Sequence, residues 1–224
     1  MIEVIIFDLD DTLYNERDFV FSGFMEVAKY LNEKYSLDRD ILYEDILDIF
    51  QEQGRGKIFN ILCDKHGLKE NTENLVSIYR NTLPNIKLYD DALYILEKLK
   101  GQYKLGIITD GKNTVQWNKI KALDVEKYMD KIIVTDDHGE DYWKPSEKPF
   151  KAMIKYFGGN PEEYIYIGDN PNKDFIGCKK LGINTIRIIR KTGDHMNTLL
   201  SEEYEADYKV NSLLELEDIL KLLK

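Results

Sequence analysis

Several things are scarce in this chain. Cys63 and Cys178 are the only cysteines in 224 residues, far apart and without a CxxC spacing. That spacing argues against a disulfide framework or a thiolate zinc centre, and a reducing compartment fits. Basic residues are outnumbered, 31 Lys and Arg against 41 Asp and Glu, for a formal charge of −10. A general nucleic-acid or membrane-surface binder would carry a basic patch or stripe, so neither partner is expected. No apolar run is long enough to span a bilayer, and no basic segment followed by a long apolar one opens the sequence. P-loop, GxGxxG and HExxH patterns are also missing, which removes support for nucleotide-driven motors, dinucleotide enzymes and zinc proteases. The expectation is a soluble, cytoplasmic protein, monomer or homodimer. Its length suits one large domain or a core with a smaller insert.

What is present is a set of short apolar runs that read as strands buried on both faces: "EVIIF" (3–7), "KLGIIT" (104–109), "KIIVT" (131–135), "YIYIG" (164–168) and "NTIRII" (184–189). A more polar run, "ADYKV" (206–210), suits an edge strand. Helical spacing lies between them, as with Tyr89, Ala92, Leu93, Leu96 and Leu99, and again with Leu213, Leu216, Leu220 and Leu223. Strand–helix alternation from about residue 84 predicts a mainly parallel α/β sheet. Residues 16–83 break that rhythm. "FSGFMEVAKYLNEKY" and "ILYEDILDIFQEQ" are helical patterns, and no strand accompanies them. The expected organisation is an α/β core of residues 1–15 and 84–224, with an all-helical insertion over 16–83.

In an open parallel sheet, ligands bind beyond the carboxyl ends of the strands. The first strand ends in "IIFDLDD", three carboxylates within four positions where a buried strand surfaces. That arrangement is costly unless something neutralises it. The other strand ends add Thr109, Asp110 and Gly111, then Lys144 of "DYWKPSEKPF", then Asp169 and Asp174 of "GDNPNKD". This set suits phosphoryl transfer through a covalent aspartyl intermediate. Asp8 and Asp169 can supply the carboxylates that Mg²⁺ prefers, while a carboxylate nucleophile divides one difficult hydrolysis into two easier transfers. An acid two residues along can protonate the leaving oxygen and then activate water. Lys144 offsets developing charge, and Thr109 with the Gly111 amide can hold phosphate oxygens, with Asp110 beside them.

"DLDDT", "TDG", the lysine of "KPSEKPF" and "GDNPNKD", in that order, resemble the four motifs of the haloacid dehalogenase-like hydrolase superfamily, over nearly the whole chain. The resemblance implies a Rossmann-like, doubly wound core with a small helical cap inserted after the first strand. It implies Asp8 as nucleophile and Asp10 as general acid and base, with Thr109 and Lys144 on phosphate. Mg²⁺ would be held by Asp8, the Asp10 backbone carbonyl and Asp169, with Asp174 orienting the site or binding through water. Lys144 is preferred to its neighbour Lys148 because "KP" followed by Phe150 keeps the family spacing. The namesake dehalogenases typically lack the second aspartate of the first motif, so Asp10 shifts the reading to a phosphatase of a small phosphorylated metabolite. A 5′-nucleotidase and, further off, a 2-haloacid dehalogenase are the alternatives, and phosphomutase activity has no separate support.

Each group has an ordinary reading beside the catalytic one. Asp8 and Asp10 suit a solvated loop or a helix cap, Thr109 a strand-end hydroxyl and Lys144 a surface lysine. Asn170–Pro171 read as an N-cap and first helical residue, with Gly182 as the stop. In the insert, Gly54 and Gly56 flank Arg55, and Arg55 with Lys57 could reach an anionic or hydroxylated part of a substrate; a solvated turn reads equally well. Asp11 has no assigned role, and His66, His138 and His195 show no ligand spacing. From another class, a phospho-accepting regulatory module shares the strand-end chemistry but is shorter and lacks such an insertion.

Overall fold

The computed structural model describes residues 1–223. The chain divides into two compact units, Met1–Glu16 with Ile86–Lys224, and Arg17–Asn85. Six strands belong to the first: β1 (Val4–Phe7), β2 (Lys104–Thr109), β3 (Lys131–Val134), β4 (Tyr164–Gly168), β5 (Asn184–Ile188) and β6 (Tyr208–Val210). α1 (Glu16–Tyr35) leaves that unit at its first residue, and α2 (Arg39–Gln53), α3 (Ile58–His66) and α4 (Thr72–Asn81) follow it. The sheet-bearing unit continues with α5 (Asp90–Leu99), α6 (Asn113–Ala122), α7 (Lys148–Phe157), the short α8 (Ile176–Lys179) and α9 (Leu216–Leu222). No described helix is long and apolar enough to cross a membrane.

All strand pairs are parallel, in the order β3-β2-β1-β4-β5-β6. This is the Rossmann-like α/β arrangement expected from the sequence. β1 is central because its side chains serve both faces of the sheet. Val4 and Ile6 join a buried cluster with Ile108, Phe150, Met153, Tyr166 and Phe175. Ile5 and Phe7, alternating to the opposite face, are equally buried. Parallel strands covered on both sides need this continuous apolar run rather than polar alternation. Chain order reverses between β1 and β4, so their carboxyl ends border the crevice where ligands bind in such sheets.

The unit Arg17–Asn85 is built on aromatic contacts. The Phe24 ring lies 5.5 Å from Phe50, 6.3 Å from Phe59 and 5.7 Å from Tyr79. Gly23 admits the Tyr79 ring, since a Cβ there would come within 2.5 Å of it. α3 and α4 are not separately legible in the sequence pattern. Gly54 ends α2 with φ +71°, and Arg55 and Lys57 are exposed in the turn before α3.

Two readings need correction. In α5 the buried face is Ala92, Ile95, Leu96 and Leu99, while Leu93 is exposed, so the inward stripe includes Ile95 and not Leu93. The cap at Asn170 forms its bonds, but no helix runs on from Asn170–Pro171. The Asn170 side chain accepts from the Asn172 backbone and its carbonyl from Asp174 N, closing a local turn, and α8 begins only at Ile176. Gly182, at φ +84°, does lie in the turn that ends this segment.

Candidate active site

Asp8 follows β1 directly. It is buried, and its backbone N–H donates to the Ile167 carbonyl at 2.7 Å, fixing the end of β1 against β4. Asp169 follows β4, and Asp174 comes back to the same point through the Asn170 turn, its Oδ2 accepting from Asn170 N at 2.9 Å. The turn needs a glycine before it, because a Cβ on Gly168 would stand 2.5 Å from Asp174 Oδ2. Carboxylate oxygens of Asp8, Asp169 and Asp174 lie within 4.8 Å of one another, all three residues buried.

Lys144 reaches this cluster from the segment after β3. Its Nζ donates to Asp8 Oδ1 at 2.8 Å, Asp174 Oδ1 at 2.7 Å and the Tyr166 hydroxyl at 2.8 Å. Lys148, the rival, is exposed and paired with Asp141. Asp110 is held by the Thr135 hydroxyl at 2.7 Å and the Lys144 backbone N–H at 3.1 Å, and Lys173 Nζ lies 3.8 Å from its Oδ2.

Asp10 keeps different company. Its Oδ1 accepts from Lys119 Nζ at 2.7 Å and from the Tyr14 hydroxyl at 2.5 Å, and its Oδ2 from Gln116 Nε2 at 2.9 Å. Gln116 also donates to Thr109 Oγ1 at 2.6 Å, so the buried Thr109 hydroxyl is joined to the same network. Gln116 and Lys119 are three apart on α6, which places both on one helical face. Gly111 precedes α6 with φ +137°, packed against the Gln116 side chain.

The electrostatics follow. Burial pushes the Asp8 carboxyl up to about 6; Lys144 opposes this and Asp174 adds to it. Burial, then the charges of Asp174 and Asp8, drives Asp169 well above the ordinary carboxylate range. Asp174 is lowered despite its burial, because Lys144 and Lys173 outweigh the loss of water. Asp10 is likewise lowered against its burial by Lys119 and the hydrogen bonds around it. Burial and Lys144 work against the charge of Lys173, yet Asp8, Asp174 and Asp110 hold its pKa above the usual lysine value.

This donor set fits a hard divalent cation. Among the described residues, Asp8, Asp110, Asp169 and Asp174 face two ammonium groups, Lys144 and Lys173, and oxygen ligands of this kind are what Mg²⁺ takes. Asp8, Asp10, Thr109, Asp110, Gly111, Lys144, Asp169 and Asp174 all lie in the sheet-bearing unit; Arg55 and Lys57 lie in the other. Sequence reasoning missed Tyr14, Gln116, Lys119, Tyr166 and Lys173. The detectable signals were a hydroxyl inside the apolar run of β4, a polar pair at helical spacing in α6, and a second lysine within "GDNPNKD".

The chain is 34% identical to a glyceraldehyde 3-phosphate phosphatase of Methanocaldococcus jannaschii, covering 100% of this chain and 99% of that protein. A protein of the same name from Pyrococcus furiosus is 31% identical, over 98% of this chain and 93% of its own length. Pyrophosphatase PpaX of Bacillus mycoides is 25% identical, over 98% and 97%. Among solved structures, a HAD phosphatase from Thermococcus onnurineus superposes with a TM-score of 0.63 at 28% identity, covering 98% of each chain. The family profile of haloacid dehalogenase-like hydrolases matches residues 5–188, from within β1 to the end of β5, and so takes in the carboxyl ends of β1 to β5. The chain belongs to the haloacid dehalogenase-like hydrolases.

Proposed function

We propose that this hydrolase is a Mg²⁺-dependent phosphatase that cleaves a small phosphomonoester through an aspartyl-phosphate on Asp8. The observation that carries the reading is the contrast between two carboxylates on one loop. Asp8 sits among the acidic cluster and Lys144, whereas Asp10, two residues on, has its own partners in Lys119, Gln116 and Tyr14. That contrast supports attack by Asp8 and proton handling by Asp10.

In the first half-reaction an Asp8 carboxylate oxygen forms a bond to phosphorus as the ester P–O bond breaks; Asp10, a carboxylate in the free site, takes up a proton as the phosphoester binds and gives it to the departing alkoxide. In the second, Asp10, now a carboxylate, takes a proton from water as the water oxygen attacks phosphorus. The acyl-phosphate P–O bond breaks, releasing phosphate and restoring Asp8. Asp8, Asp169 and Asp174, with the Asp10 backbone carbonyl, would hold Mg²⁺, whose charge when bound offsets that of the carboxylates and the phosphoryl oxygens. Lys144 holds Asp8 in place, and Thr109, Asp110 and the Gly111 amide line the phosphate side. Residues 16–83 serve as a cap, with Arg55 and Lys57 as its specificity candidates. A dehalogenase has no use for Asp10, since halide leaves without a proton.

The test is phosphate release from a panel of phosphomonoesters, with glyceraldehyde 3-phosphate first because of its namesake relatives, and with nucleotides, other sugar phosphates and pyrophosphate beside it. Turnover is expected with Mg²⁺ and is expected to vanish with EDTA and in Asp8→Asn. Activity unchanged in Asp8→Asn would overturn the assignment of the nucleophile.

A further inference from the structure

An ammonium group has three N–H donors. Those of Lys144 meet Asp8, Asp174 and Tyr166 at 2.7–2.8 Å, and its side chain is 0% exposed. It therefore has no donor left for an incoming anion unless one of those bonds is given up. Lys173 is in the opposite position. It lies in the turn between Asp169 and Asp174, its side chain is 29% exposed, and its Nζ stands 3.8 Å from Asp110 Oδ2, beyond hydrogen-bond length. Among the described residues its side chain makes no hydrogen bond. Two nearby acceptors are already engaged, Asp174 with Lys144 and Asn170 N, and Asp110 with Thr135 and the Lys144 backbone. A charged lysine is thus kept among carboxylates, open to solvent, with its donors unspent.

We propose that Lys173 is a further lysine that grips the substrate's phosphoryl oxygens, while Lys144 beside it holds Asp8 and Asp174 in place. The assignment rests on the phosphatase reading of this site. It divides two tasks between two cations that the surroundings already distinguish, one enclosed and saturated, the other open and unsaturated. A charge-assisted hydrogen bond to phosphate is about twice as strong as a neutral one, so its loss is readily measured.

The experiment compares the full chain with its Lys173→Met and Lys173→Arg variants, in Mg²⁺. Inorganic phosphate is titrated calorimetrically, and KM and kcat are measured on the best ester of the panel. In Lys173→Met the phosphate Kd and the KM are expected to rise together by about tenfold or more, with Lys173→Arg recovering most of the loss. Melting temperatures of the three proteins verify that each is folded. A phosphate Kd within about twofold of wild type in a folded Lys173→Met protein would overturn the proposal, as would a wild-type chain that binds no phosphate. The titration does not depend on turnover. A chain that binds phosphate through Lys173 but hydrolyses no ester would defeat the phosphatase reading alone.

Discussion

Lys119 shows how far a residue's sequence neighbourhood can mislead about its work. Ten residues beyond Thr109 on a helix of mixed polarity, it looks like one of many surface lysines, yet its side chain is 3% exposed and bonded to Asp10 at 2.7 Å. A buried ammonium must be paired, and only the fold supplies the carboxylate. Because it touches Asp10 and not the reacting atoms, Lys119 is a positioning residue. Lys119→Met is expected to lower kcat by about tenfold to a hundredfold while KM moves little, with partial recovery in Lys119→Arg. An equal loss of activity in both variants, tracking a fall in melting temperature, would instead mean that the residue only supports the fold. Asp8, Asp10, Asp169 and Asp174 were legible in the sequence because acids stacked at strand ends are costly and therefore conspicuous. Lys119, Gln116 and Tyr166 were not, because a helix or strand pattern does not say which distant carboxylate a polar side chain will meet.

At the scale of elements, the loop carrying Lys144 is positioned by a helix that never touches the chemistry. Gly177 in α8 lies so close to that loop that a Cβ would stand 2.3 Å from the Pro145 carbonyl oxygen and 3.3 Å from that of Ser146. Both neighbours are backbone, so neither can swing away. Gly177→Ala is expected to cost about 1–3 kcal/mol of stability, the usual range for overpacking, and to lower kcat because Lys144 moves with the loop. Chemical unfolding and steady-state kinetics on the same preparation check this, and an unchanged kcat would show that Lys144 is held by its ion pairs alone. The parallel strands were read nearly to the residue, since burial on both faces leaves a continuous apolar run. The turn after β4 was misread for a local reason. Asn170 makes the bonds of an N-cap, its side chain accepting from Asn172 N–H and its carbonyl from Asp174 N–H, but that single turn is not continued and α8 begins only at Ile176. Ile95 displaced Leu93 from the expected stripe because the helical phase could be drawn through either residue until the sheet chose a face.

On the scale of the whole molecule, one ion pair ties together segments remote in sequence. Asp91 Oδ2 accepts from Arg190 Nη1 at 2.7 Å, Leu213 N at 2.8 Å and Ser212 Oγ at 3.0 Å, while Arg190 Nη2 donates to the Thr12 carbonyl at 2.7 Å. The Arg190 guanidinium also lies 4.1 Å from the centre of the Tyr89 ring. Burial would raise the Asp91 carboxyl, but Arg190, Leu213 N–H and Ser212 outweigh it and hold the pKa below its ordinary value. A carboxyl lowered on folding adds stability above its unfolded pKa, near 4, and loses that contribution as pH falls through the lower folded value. Asp91→Asn is therefore expected to cost about 1–3 kcal/mol near neutral pH, with the gap to wild type closing below about pH 4. Urea unfolding at a series of pH values measures it; a gap that did not change with pH would mean that the charge contributes nothing.

The place of β1 in the sheet also bears on the order in which the protein can be made. Val4–Phe7 pair on one side with residues 104–107 and on the other with residues 164–167. During synthesis the central strand therefore leaves the ribosome long before either neighbour, and all of Arg17–Asn85 emerges in the interval. An apolar strand with two open edges invites wrong partners, and a sheet built from such distant pairings closes slowly. Four residues is a short strand, which limits what is exposed during the wait. The segment most in need of protection on a nascent chain is thus the one that ends in Asp8.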